Sequence, residues 1–543
     1  MFSTTIKKIF NRNKKEPPFA DLTILYGGHS GNSEFIAKES SKYFKKKGIK
    51  AQLADMAKYD FNRLQQEKLL LIVISTHGEG DPPARAKKFH RKLLSAEAPF
   101  LKNLRFSVCA LGDSSYENFC QTGKEIDKRL EELGASRFLE RVDCDVEFNK
   151  NATEWISAVL GKYHLGNAEK IEVNIQSNDK NKNYEGVVKD RYALDKEPEE
   201  LIYHLILTID DPEFSYLPGD SVSIIPRNPE ELVNTLIKKL ESFPKKQITY
   251  KNKSLSLLNF FTTQVEITTI SKGLLERYSA INPLPKLKSL LYDEKKLYDY
   301  MQTSDVIDLL TDFPWLGNIE ELAAIFRSIQ PRSYSVSSSI KATPGELHLT
   351  VKLICLQTEK RTRYGACSSY LSHWLKPGSR INLKVVPNNE FRLPQDNRPV
   401  IMIGAGTGIA PFRAFMQELE CGKQNIPSWL IFGEKFRNKN FFYEEEWKHL
   451  LDKGILNRMD VAFSRDTNQK IYVQHLLEKH TKLFCEWVES GANIYVCGAI
   501  KMGHDVRKTA ISGIAKYHRL SEDKATEYIE KLEEDGRWLE DLY

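Results

Sequence analysis

Cysteine is scarce, and none of it is arranged to hold a metal. The eight cysteines stand at Cys109, Cys120, Cys144, Cys355, Cys367, Cys421, Cys485 and Cys497, with no Cys-x-x-Cys pair. That scatter argues against a zinc site or a disulfide framework, and it fits a reducing cytoplasm. No metal is expected. Long apolar runs are also missing: none approaches the ~18 residues of a bilayer span. The first 20 residues carry Lys7, Lys8, Arg12, Lys14 and Lys15 but lack the apolar core of a secretory signal, so 1–20 reads as a basic tail. A large charge excess is absent as well. A net charge of +6 over 543 residues gives no electrostatic footprint for nucleic acid.

What is present is a long chain of ordinary globular composition, too long for one core and expected to form roughly three or four domains. Residues 21–165 alternate strand and helix. Apolar runs at 22–25, 69–74 and 106–111 suit parallel strands buried on both faces, which predicts a doubly wound sheet. Ligands of such sheets bind at the carboxyl ends of strands. Three loops there are distinctive. The first holds His29, Ser30, Gly31, Asn32 and Ser33 between a strand and a helix. Glycine lets backbone N–H groups close on a phosphate, and the hydroxyls and helix N-terminus add to the cradle. The second runs through Thr76, His77, Gly78 and Gly80. The third runs through Leu111, Gly112, Asp113, Tyr116, Asn118, Phe119 and Cys120. Residues 111–147 carry ten acidic and five basic side chains, an acidic rim suited to steering a basic electron acceptor.

Residues 166–184 are polar and poor in large apolar side chains, and read as a hinge. Short alternating strands follow over 185–227 and 326–397, which predicts an antiparallel barrel. A helical stretch over 228–325 interrupts it. From 398 to 543 strand and helix alternate again, so a nucleotide-binding α/β domain closes the chain. The fold class is therefore multidomain α/β plus β-barrel.

Arg332, Tyr334 and Ser335 concentrate the barrel's chemistry. An arginine can neutralise a pyrophosphate, a tyrosine can stack on a flavin and a serine can bond its polar edge. Gly365, Ala366, Cys367 and Ser368 precede a helix, whose N-terminus favours phosphate. Gly404-Ala405-Gly406-Thr407-Gly408 is a glycine turn between strand and helix, where small residues let a dinucleotide approach the backbone. Ser464, Arg465, Lys470 and Tyr472 offer the cations and hydroxyls that a 2′-phosphate requires.

Together these strings resemble the diflavin reductase family: a flavodoxin-type FMN domain joined to a ferredoxin–NADP reductase-like FAD and NADPH half. The resemblance implies FMN, FAD and NADPH as cofactors. It implies that Ser30 to Ser33 hold the FMN phosphate, that Tyr116 stacks on the isoalloxazine with Asn118 beside it, and that His77 lies at its other face or edge. It further implies that Arg332, Tyr334 and Ser335 contact FAD, with Gly365 to Ser368 as the pyrophosphate loop. Ser464, Arg465, Lys470 and Tyr472 would form the 2′-phosphate pocket, and Tyr543 would cover the flavin where the nicotinamide enters. Ser335, Cys497 and Asp541 would stand near the hydride path. Three positions depart from the family pattern: Gly28 replaces a hydroxyl residue, Leu356 an adenine-stacking aromatic and Ala499 an acid.

Within the family the strings are most similar to the flavoprotein component of NADPH-dependent assimilatory sulfite reductases. The implied partner is then a haemoprotein, the sirohaem subunit that reduces sulfite to sulfide. A soluble NADPH–haemoprotein reductase of the cytochrome P-450 type is the alternative. A flavin-binding electron carrier without NADPH activity is the alternative of another class.

Overall fold

The computed structural model describes residues 21–28, 31–77, 80–114, 116, 118–163, 182–195, 201–358, 361–422 and 426–543. The chain divides into two compact units, residues 1–178 and 179–543. The basic tail expected over 1–20 and most of the hinge expected over 166–184 lie outside the described residues. Among the described residues no helix is long and apolar enough to cross a membrane.

In the first unit Leu22–Gly27 (β1), Ala51–Asp55 (β2), Leu69–Ser75 (β3), Arg105–Leu111 (β4), Ser136–Arg137 (β5) and Val142–Cys144 (β6) form one parallel sheet. Its order is β2-β1-β3-β4-β5, with β6 also paired to β4. Successive side chains of a strand face opposite ways, and β3 divides its apolar run accordingly. Leu69, Leu71 and Val73 enter one core with the helices Asn32–Lys46 and Asn149–Tyr163. Leu70, Ile72 and Ile74 enter the other with Ala84–Leu94 and Gln121–Glu132. Each such burial stabilises by about 1.5–3 kcal/mol. The strand order reverses direction between β1 and β3, which opens a crevice at their carboxyl ends.

The second unit begins with Asn183–Ala193 (β7), Ile202–Thr208 (β8) and Ser221–Ile224 (β9). A hairpin of Gln247–Tyr250 (β10) and Lys253–Ser256 (β11) follows, then Arg332–Ser335 (β12) and Glu346–Lys352 (β13). Cys355–Gln357 (β14) and Thr362–Tyr364 (β15) make a second hairpin, and Arg380–Val386 (β16) completes the set. The main antiparallel sheet runs β12-β9-β16-β7-β8-β13, and a bridge between Val336 and Leu349 joins its two edges into a barrel. Strand β7 starts at Asn183, two residues before the 185 read from sequence. Pairing to β16 and the packing of Tyr184 on Phe214 recruit these polar residues. Seven helices from Glu230–Lys239 to Ile319–Ile325 share their own core between β9 and β12. The hairpin β10–β11 lies inside the stretch 228–325, for which the spacing predicts helices.

The closing α/β portion has Val400–Ala405 (β17), Ser428–Glu434 (β18), Arg458–Phe463 (β19), Asn493–Gly498 (β20) and Trp538–Leu542 (β21). They form a parallel sheet in the order β19-β18-β17-β20-β21. A buried polar network joins this sheet's helical layer to the barrel. Arg413 Nη1 donates to the Ser337 carbonyl at 2.7 Å, and Tyr443 Oη lies 2.8 Å from His204 Nδ1 and 2.7 Å from Thr350 Oγ1. Burial of these groups is tolerable because each finds a partner. The network fixes how the barrel faces the strand ends.

Candidate functional site

At the carboxyl ends of β1, β3 and β4 the three loops of the first unit converge. Gly31 takes a positive φ of 81° and caps the helix Asn32–Lys46, leaving the N–H groups of its first turn facing the crevice. Ser33 is buried, and its Oγ has no hydrogen-bond partner among the described residues. A Cβ on Gly28 would stand 2.6 Å from that Oγ. A side chain at position 28 would crowd Ser33, whose hydroxyl would have to shift to make room. An orphaned buried hydroxyl costs about 1–3 kcal/mol, so it fits a bound phosphate oxygen. His29 and Ser30 lie outside the described residues, as does Gly78.

The second and third loops brace each other. Thr76 donates its N–H to the Leu111 carbonyl at 2.9 Å, and its Oγ1 accepts from Thr122 N at 3.2 Å. His77 and Asp81 exchange backbone hydrogen bonds of 2.8 and 2.9 Å. Gly80, at φ 119°, packs so closely on Asn118 that a Cβ would come within 2.9 Å. Gly112 donates to the Cys144 carbonyl at 3.0 Å, and Asp145 accepts from Ser114 N and Oγ at 3.0 and 2.5 Å. The Tyr116 backbone N–H donates to the Asp113 carbonyl, and its ring is exposed. Phe119 lies under Lys124, 5.8 Å from ring centre to Nζ. Cys120 is buried at φ 56°, and burial pushes its thiol well above the usual range, so it is inert packing rather than a nucleophile.

In the second unit β12 pairs with β9, placing Tyr334 opposite Val222. Burial raises the Tyr334 phenol, and the nearby Cys367 thiol, with which it shares a hydrogen bond, is pushed up to about 12. Arg332 Nη1 donates to the Gln330 carbonyl at 3.0 Å, and Nη2 stands 3.6 Å from the buried Glu266 Oε2. Gly365 caps the turn Ala366–Ser369. Ser368 Oγ accepts from Ile354 N at 3.1 Å and donates to the Gly365 carbonyl at 3.2 Å, so its hydroxyl locks the loop. Leu356 is exposed on β14.

The third group of residues gathers where β17, β18, β19, β20 and β21 end. Gly406 takes φ 58°, and a Cβ on Gly408 would meet the Cys497 carbonyl at 2.1 Å. Thr407 Oγ1 lies 2.7 Å from Tyr543 Oη. The β20–β21 pairing sets Cys497 opposite Asp541. Asp541 Oδ2 then accepts from Ser335 Oγ at 2.9 Å and stands 3.8 Å from Cys497 Sγ. Burial, and secondarily Asp541, raise the Cys497 thiol, which is therefore neutral. On the other flank Ser464 is buried, while Arg465, Lys470 and Tyr472 are exposed around the same loop. Ala499 caps the helix Ile500–His518. Among the described residues no group of three or more histidine, cysteine or acidic side chains could hold a metal ion.

Sequence reasoning missed Glu266 behind Arg332, Asp145 behind Ser114, and Glu434 beside Gly406. Only Glu434 had a signal, an acid directly after the apolar strand 428–433.

The comparisons with known proteins follow this division. Residues 24–155 match the flavodoxin family, 176–370 the FAD binding domain and 402–508 the oxidoreductase NAD-binding domain. The sulfite reductase [NADPH] flavoprotein alpha-component of Bacillus subtilis is 37% identical over 96% of this chain and 89% of its own length. That of Vibrio parahaemolyticus is 35% identical over 97% of this chain and 87% of its own. That of Buchnera aphidicola is 34% identical, over 96% and 89% respectively.

Proposed function

The chain belongs to the family of NADPH-dependent sulfite reductase flavoprotein alpha-components, and from that premise we propose that it delivers electrons to a sirohaem haemoprotein subunit that reduces sulfite to sulfide. It is an NADPH-dependent diflavin oxidoreductase that binds FMN, FAD and NADPH. When bound, FAD would supply the two-electron chemistry that takes a hydride from NADPH, and FMN the one-electron chemistry that delivery to a haemoprotein needs.

The chain's own residues hold and align these groups. Gly31, Asn32 and Ser33 take the FMN phosphate together with His29 and Ser30, and Thr76, His77, Gly80, Tyr116 and Asn118 line the ring. Arg332, Tyr334 and the Gly365 to Ser368 loop take FAD. Gly406 and Thr407 admit the nicotinamide dinucleotide, and Ser464, Arg465, Lys470 and Tyr472 take its 2′-phosphate. Tyr543 covers the flavin and moves aside for the nicotinamide.

The observation that carries the NADPH-oxidising half of the reading is the meeting of Ser335, Cys497 and Asp541 beside Tyr543, while the choice of acceptor is supported by the likeness to the sulfite reductase flavoproteins. One strand of the barrel and two of the nucleotide-binding sheet supply them. The Asp541 carboxylate stabilises positive charge as the nicotinamide is oxidised, Ser335 orients it, and the neutral Cys497 thiol excludes water. The test is anaerobic: the chain, NADPH, sulfite and the sirohaem subunit of the same cell are combined and sulfide is measured. Sulfide with all components present, and none when this chain is left out, supports the proposal. Flavin reduction by NADPH without sulfide moves the acceptor to another haemoprotein.

A further inference from the structure

The crevice read as the nicotinamide site contains a carboxylate where two phosphate groups are expected. Glu434 ends β18, between the glycine turn on β17 and the loop Ser464–Arg465 after β19. Its backbone is pinned: Ser464 N donates to the Glu434 carbonyl at 2.8 Å, and Arg465 N to the Lys435 carbonyl at 2.8 Å. Its side chain is pinned too. Oε1 accepts from Lys435 N at 3.0 Å, and Oε2 stands 3.5 Å from the point a Cβ on Gly406 would occupy. The carboxyl therefore faces the bare backbone that is there to let a pyrophosphate come close.

We propose that Glu434 makes binding of the nicotinamide dinucleotide proton-linked, its carboxyl taking up one proton when the cofactor settles beside it. The inference rests on reading this strand edge as the NADPH site.

The surroundings supply the physical cause. Lys352 at the end of β13 and Arg465 after β19 are the cations facing the group; Asp195, in the turn between β7 and β8, is the facing anion. The phenol of Tyr543 lies within electrostatic reach. Burial already pushes the carboxyl up to about 7, against the Lys435 N–H bond, Lys352 and Arg465, which hold it down. A bound dinucleotide strips remaining water, brings negative phosphate near, and engages Arg465 with its 2′-phosphate. All three changes favour the neutral acid. The sign follows from linkage. The carboxyl's affinity for a proton is higher in the complex, so dinucleotide affinity is full below about pH 7 and falls as pH rises above it, with Kd growing up to about tenfold per pH unit. The 2′-phosphate itself, with a second ionisation near pH 6, is fully charged in that range and contributes no slope.

The experiment uses the full chain with both flavins oxidised and NADP+ as probe, so that no electron transfer intrudes. Calorimetric titrations at pH 8, in two buffers of different ionisation enthalpy, give the protons exchanged per NADP+ bound. Titrations at pH 7, 8 and 9 give the slope of Kd. Uptake of nearly one proton per NADP+ by the wild type, and nearly none with a flat Kd for Glu434→Gln, supports the inference. As a second arm, Lys352→Gln removes a cation that holds the carboxyl down, so the midpoint of the pH dependence moves upward. Equal uptake by wild type and Glu434→Gln, or a flat wild-type profile, overturns the inference while leaving the NADPH site intact. No binding of NADP+ by the wild type at any pH overturns the reading of the site itself.

Discussion

Ser335 donates a 2.9 Å hydrogen bond to Asp541 across 206 residues of chain. A hydroxyl at the end of a barrel strand and a carboxylate next to last but one in the sequence thus share one point in space, with Cys497 alongside. If that point is where the nicotinamide gives up its hydride, Asp541→Asn slows FAD reduction by NADPH about tenfold to a thousandfold, the range for losing one preorganised electrostatic group. FAD content and NADP+ affinity change little. Rapid mixing with NADPH, beside flavin extraction, measures both.

Arg465 stands exposed on the loop after β19, next to the buried Ser464. Removing a charge-assisted contact to phosphate costs about 1.5–3 kcal/mol, roughly tenfold to hundredfold in Kd. Arg465→Ala is therefore expected to weaken NADPH by that factor and NADH hardly at all. Equal losses for both would remove the 2′-phosphate assignment.

Ser33 gives a prediction whose sign depends on the cofactor. Its Oγ is buried without a hydrogen-bond partner among the described residues. Ser33→Ala removes that unsatisfied group, so the FMN-free protein gains about 1–2 kcal/mol in the first unit. With FMN bound the same change removes a phosphate donor, so FMN dissociates more readily while FAD stays stoichiometric. Unfolding of FMN-depleted and FMN-loaded protein tests both signs.

Acid stability follows from two buried imidazoles. Burial, then Arg413 and His348, hold His204 down to about 2; burial foremost holds His348 down to about 4. Both are neutral when folded and take up a proton on unfolding below about pH 6.5, so stability is full above that value and declines as pH falls. The decline reaches about 1.4 kcal/mol per pH unit for each histidine, easing for His348 near pH 4. Urea unfolding followed by FAD release at pH 6.5 and 5 measures it, and His204→Phe should roughly halve the slope.

Much of this was legible in the chain. β3 announces itself as an unbroken apolar run because both faces are buried, β1 and β4 do so with one buried hydroxyl residue each, Thr23 and Ser107, and the glycine strings mark the loops because only a bare backbone fits there, as at Gly408 against Cys497. The edge strand β2, Ala-Gln-Leu-Ala-Asp, carries no such run, being only half-buried. β5 and β6 are two and three residues long and exist through pairing to β4. The hairpin β10–β11 is likewise set by pairing, with Ile248 its one fully buried residue. The terminal aromatic was readable, but not that Trp538–Leu542 is a strand that carries it to the site. Nor does sequence report that a side chain at position 28 would crowd Ser33, its Cβ standing 2.6 Å from the Ser33 hydroxyl.

The most direct test of the account is the order in which the flavins are reduced. The oxidised chain is mixed rapidly with NADPH, without air, and the two flavin spectra are followed in time, with NADH as the parallel run. The account predicts that FAD bleaches first, that FMN follows, and that NADH at equal concentration leaves both largely oxidised. FMN reduced before FAD, or equal reduction by NADH, would contradict it.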